Sequence, residues 1–137
     1  MKIELENVGK RFGSVRALGE VTVTVPSGGR VGLVGPNGSG KSTLTRLLMG
    51  VLRGEGVVRI GGLSPYRDRV RLAARMAYVP QTPPTLGASV GELVRAISDV
   101  RGLPTDAVAI VARRLELDLT TVRRRAFRDL SGGMKQK

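Results

Sequence analysis

Between Val31 and Met49 the chain reads VGLVGPNGSGKSTLTRLLM, and no other stretch limits its fold so tightly. Gly35-Pro36-Asn37-Gly38-Ser39-Gly40 packs three glycines and a proline into six residues and can be neither helix nor strand. The apolar run before it, Arg30 to Val34, predicts a short strand. After it, Leu44, Leu47 and Leu48 fall on one face of a helix from Lys41 to Met49, with Gly50 as its stop. Strand, glycine-rich turn and helix in that order point to an α/β fold.

The turn with its flanks matches G-x-x-x-x-G-K-[ST] over Gly35–Ser42. Glycines let the backbone curl until several N–H groups face one anion, and the positive N-terminal end of the helix adds to the same spot. Lys41 is expected to reach β- and γ-phosphates as a compact charge, the Ser42 hydroxyl to bind Mg²⁺, and Thr43 to offer a hydroxyl near the α-phosphate. The bland alternative is a strand-to-helix turn with an incidental lysine. The motif by itself predicts a nucleoside triphosphate and no particular class of protein.

Elsewhere the pattern changes along the chain. Lys2 to Val8 alternates apolar and polar residues as a half-buried strand does, a turn falls near Gly13, and Val21, Val23 and Val25 predict a second strand ended by Pro26. Val57 to Ile60 and Met76 to Val79 predict further strands, and Pro65 to Arg75 a short helix. Ser89 and Glu92 have the spacing of a capping box at the head of a helix to about Val100. Pro104 to Glu116 predicts another helix and Thr120 to Phe127 a third. Residues 1–82 are therefore expected to form a β-rich nucleotide-binding part and 88–137 a helical one, with 83–87, in the loop Gln81 to Gly87, as hinge.

Composition narrows the chemistry. The chain has no cysteine and no histidine, which excludes disulfides, thiolate metal sites and imidazole bases. Net charge is +12, and 18 of the 23 basic residues are arginine. Nucleic acid, acidic lipid or polyphosphate would each suit that surplus, as would a solvated arginine-rich surface. The arginines are dispersed, and two phenylalanines and two tyrosines are too few for a base-stacking platform, so nucleic acid is not expected as partner. No apolar run is long enough to span a membrane, and the N-terminus has no secretory pattern.

Three more features stand at telling distances. Phe12 lies 23 residues before Gly35, Gln81 lies 40 after Lys41, and Leu130-Ser131-Gly132-Gly133 begins 89 after Lys41. With GPNGSGKST they resemble the ATP-binding cassette of ABC transporters, over the whole chain. The resemblance implies a P-loop NTPase fold of α/β class, with an N-terminal antiparallel β portion and an α-helical subdomain. It implies that Phe12 stacks on adenine, and that Gln81, in the Q-loop, touches metal and attacking water. Ser131, Gly132 and Gly133 would close on the γ-phosphate of ATP held by a second, head-to-tail cassette. Ordinary alternatives stand beside each: a core or strand-end phenylalanine, a polar loop residue, a capped helix. Signatures reading LSGGM before a basic residue are similar to those of many exporters. Met134 stands where the family usually has glutamine and cannot donate a hydrogen bond.

The resemblance further implies ATP and Mg²⁺ as cofactors, transmembrane permease subunits as partners, and a cytoplasmic place at the membrane face. The family's strand ending in aspartate and glutamate, which follows the signature, and its later histidine have no counterpart here. The expectation is a partial cassette lacking C-terminal strands of its core sheet, poorly stable and unable to hydrolyse ATP alone. A soluble ABC-type ATPase acting on DNA or ribosomes, or a non-catalytic remnant, are the competing readings.

Overall fold

The alternation in the first 25 residues folds as a hairpin. In the computed structural model, which describes residues 1–137, strand β1 (Ile3–Phe12) turns at Gly13-Ser14 into β2 (Val15–Val25). β3 (Glu55–Ile60) adds antiparallel to the other side of β1, giving the order β2-β1-β3. Helix α1 (Lys41–Leu48) comes between β2 and β3 in the chain. Its buried Leu44 and Leu47 join Leu5, Val8 and Leu18 of the sheet in one core. Burying a leucine contributes about 1.5–3 kcal/mol, so these two side chains fix the helix, and the loop before it, against the hairpin. α2 (Arg69–Ala73) completes this unit, Met1–Tyr78.

The second unit, Val79–Lys137, is helical. It contains α3 (Val90–Arg101), α4 (Thr105–Arg114), α5 (Leu119–Val122) and α6 (Gly132–Gln136). Val90, Ala112, Leu117, Val122 and Leu130 form its core, with Val94, Phe127 and Met134 packed against them. Ser89 and Glu92 make the expected capping box at the start of α3. That pairing holds the Glu92 carboxyl below its ordinary value, chiefly through the Ser89 hydroxyl and then the Ser89 amide. The Thr120 hydroxyl, and then its amide, do the same for Asp118 at the start of α5.

Four expected elements differ. No strand forms over Arg30 to Val34: Val31, Leu33 and Val34 are 67%, 48% and 94% exposed. Met76 to Val79 forms no strand either. A strand exists only through a neighbour's hydrogen bonds, and Arg30 to Val34 pairs with no other strand of this chain. The helix expected from Pro65 shrinks to α2, because the Asp68 carboxylate accepts the Ser64 amide at 2.9 Å and ties residues 64–68 into a turn. The helix expected from Thr120 to Phe127 ends at Val122, because the carbonyls of Arg123 and Arg125 accept the amides of Gly91 and Val90 at 2.9 and 3.0 Å.

Candidate functional site: the glycine-rich loop and the start of a short C-terminal helix

The loop Gly35–Gly40 leads directly into α1. Gly38 and Gly40 hold φ of 84° and 88°, left-handed values that side chains other than glycine rarely adopt. At Gly40 space forbids a side chain as well: a Cβ would meet the Ala17 carbonyl oxygen at 2.6 Å. The loop therefore seats its last residue against β2. No side chain caps α1 and no acid lies in its first turn. Its first amides thus face outward beneath the positive end of the helix dipole, an arrangement that draws anions.

Lys41 folds back over the loop. Its Nζ donates to the carbonyl oxygens of Gly35 and Pro36, both at 2.7 Å, and lies 3.5 Å from Ser39 Oγ. The Ser39 amide donates to the Pro36 carbonyl at 3.3 Å and closes the turn around Asn37 and Gly38. The ammonium so stands at the mouth of the curl. Ser42 exposes its hydroxyl at the helix start, and Thr43 is half-buried beside it.

Phe12 ends β1 with 47% of its surface exposed, so it is not a core residue. Lys10 lies over its ring, Nζ 5.1 Å from the centroid, and also donates to the Arg53 carbonyl at 2.7 Å. Lys10 is absent from the residues the sequence singled out. The signal was available: two residues apart on a strand, Lys10 and Phe12 share a face.

Gln81 and the signature belong to the second unit. Gln81 is exposed in an irregular segment. At the signature, Ser131 caps α6 as expected, its hydroxyl accepting the Met134 amide at 3.3 Å. Leu130, 5% exposed, and the half-buried Met134 anchor the helix start to the core from either side. Gly132 and Gly133 between them are exposed, and a Cβ on either would meet nothing within 4 Å. Packing does not require glycine there, so the bare surface itself is what these residues supply. The helix satisfies one orphan amide through Ser131 and leaves smooth backbone facing outward.

No group of three histidine, cysteine, aspartate or glutamate side chains gathers to hold a metal ion. No helix is long and apolar enough to cross a membrane.

Known proteins resemble this chain in sequence and in fold. The hemin import ATP-binding protein HmuV of Bradyrhizobium diazoefficiens is 37% identical over 139 residues, which cover 98% of this chain and 52% of that protein. The Nod factor export ATP-binding protein I of Sinorhizobium fredii is 43% identical over 81 residues, 58% of this chain and 23% of that protein. A solved structure described as the ATP binding subunit of an ABC transporter superposes with a TM-score of 0.85 at 25% identity, covering 99% of this chain and 58% of that one. The chain spans about half the length of the hemin import relative. The family model described as ABC transporter matches residues 18–137, from the β2 wall that seats Gly40 to the last residue of the signature region, and the chain belongs to that family.

Proposed function

We propose that this chain is the nucleotide-binding part of an ABC transporter's ATP-binding subunit, and that Gly35 to Thr43 hold the phosphates of ATP. The observation that carries this reading is the uncapped start of α1 beneath a curled loop with Lys41 at its mouth. Phe12, exposed at the end of β1, would stack on the adenine. Such a contact contributes about 1–3 kcal/mol. For Mg²⁺ this reading assigns the Ser42 hydroxyl and the Gln81 amide oxygen, hard, neutral oxygens of the kind the ion takes in small number together with phosphate and water. Bound there with ATP, the ion would neutralise charge on the β- and γ-phosphates. In this reading Gln81 also faces the attacking water.

The exposed Ser131, Gly132 and Gly133 support a second role, closing on the γ-phosphate of ATP in another cassette. The further partners of this reading are that second cassette and permease subunits, at the cytoplasmic face of a membrane. The hemin import relative matches nearly the whole chain, and the Nod factor export relative matches a shorter stretch. The longer match supports solute import, ahead of the export expected from the LSGGM signature.

Equilibrium binding of Mg-ATP and of inorganic triphosphate to the full chain tests the reading. The expected result is saturable binding of both, with Phe12→Ala weakening ATP by about tenfold and leaving triphosphate unchanged. An absence of saturable ATP binding would overturn it.

A further inference from the structure

β3 is bonded along one edge only, to β1. The Gly61 amide turns inward to the Lys2 carbonyl, and the Ile60 amide turns outward to the Leu63 carbonyl, each at 2.8 Å. Backbone groups two residues apart on a strand face the same edge, so the amide and carbonyl of Val58 face outward as well. They open into a cleft of about 310 Å³ between β3 and residues 64–67.

Three arginines are among the residues that line this cleft: Arg53, Arg59 and Arg67. None of them is in an ion pair. Arg53 lies over the Tyr66 ring, 5.9 Å from its centroid. Glu55 is the only acid in the lining, and its carboxylate leans onto β1, where a Cβ on Gly9 would stand 3.2 Å from Oε2. Three forked cations with one acid turned aside leave a local positive surplus, and guanidinium forks match the paired oxygens of phosphate. The cleft is separate from the glycine-rich loop. Its wall includes Leu47, and at 1.5 Å per residue about 9 Å of helix lies between residues 41 and 47.

We propose that this cleft is a second anion site that takes a phosphate group, with Arg53, Arg59 and Arg67 as its charge partners and the Val58 amide as a neutral donor. The phosphate belongs either to a free phosphate compound or to a lipid headgroup; the chemistry recognised is the same.

The test is titration calorimetry of inorganic pyrophosphate into the full chain and into the triple variant Arg53→Gln, Arg59→Gln, Arg67→Gln. The parent is expected to bind two pyrophosphates, one at the loop. The triple variant loses one of them, or binds it at least about tenfold more weakly, and keeps its affinity for Mg-ATP. Lys41→Ala is expected to weaken the other one. Equal stoichiometry and affinity in parent and triple variant overturn the proposal, as does a parent that binds a single pyrophosphate sensitive to Lys41→Ala alone. Failure of the loop reading looks different, since there ATP binding itself is missing. A second arm co-sediments both proteins with phosphatidylglycerol–phosphatidylcholine vesicles and with phosphatidylcholine alone. Phosphatidylglycerol-dependent binding that the triple variant loses identifies a headgroup; pyrophosphate binding without it identifies a free phosphate.

Discussion

Helices α1 and α3 begin in opposite ways. At α3 the chain closes the helix with its own side chains: the Ser89 hydroxyl accepts the Glu92 amide at 3.3 Å, and the Glu92 carboxylate accepts the Ser89 amide at 2.7 Å. At α1 a left-handed glycine leads in, no side chain reaches the first-turn amides and no carboxylate sits near them. Both helices have the same orphan donors. One has them satisfied, by the Ser89 hydroxyl and by the carbonyls of Arg123 and Arg125, and is finished. The other leaves them open, with Thr43 rather than a carboxylate at the position that Glu92 holds in α3.

The sharpest way to break this contrast is at Gly40. Gly40→Ala forces a side chain into left-handed φ and a methyl group against the Ala17 carbonyl oxygen. The expected loss is about 3 kcal/mol of unfolding free energy, read by chemical denaturation. An unchanged midpoint would show that the loop is not seated on β2 as described. Next in size, Lys41→Ala is expected to weaken Mg-ATP by about 10–100-fold, the worth of a charge-assisted hydrogen bond, with little change in melting temperature. The two effects separate seating the loop from using it.

At α3 the same surgery should touch stability alone. Ser89→Ala is expected to cost about 1 kcal/mol in a thermal melt and to leave ATP affinity as it was. A loss of ATP affinity would join the two helix starts that the contrast separates. A smaller effect follows pH. Because the Glu92 carboxyl is held below its ordinary value, its contribution is complete above that value and fades as pH falls toward the lowered one. Acid should therefore loosen α3 in the parent more than in Glu92→Gln, measured by amide exchange of residues 90–93. Equal acid sensitivity in both proteins removes Glu92 as the cause.

Much of the site could be read from residues in order. The glycines at 35, 38 and 40, the lysine at 41 and the leucines at 44, 47 and 48 fix loop, charge and helix face through local rules of φ, capping and period. The capping box at Ser89 and the serine cap at Ser131 are equally local. Three of the four elements that differed depend on a distant partner; the helix expected from Pro65 is instead cut short by the local Ser64–Asp68 turn. Arg30–Val34 has the composition of a strand but no neighbour within this chain, and its apolar side chains lie exposed. Residues 123–125 have helical spacing, yet their carbonyls are taken by amides 32 to 35 positions earlier in the chain.

The sequence alone determined what needs only neighbouring residues: the glycine-rich loop, the start of α1 after it, and the serine caps at Ser89 and Ser131. Only tertiary structure decided what depends on meeting residues far away. Lys10 is brought over Phe12 while tied to Arg53, Gly40 has no room for a methyl group against β2, and Leu130 and Met134 hold Gly132 and Gly133 bare. The physical reason is that φ preference and hydrogen bonding within a turn are short-range, whereas packing space and ladder pairing exist only once separate segments touch.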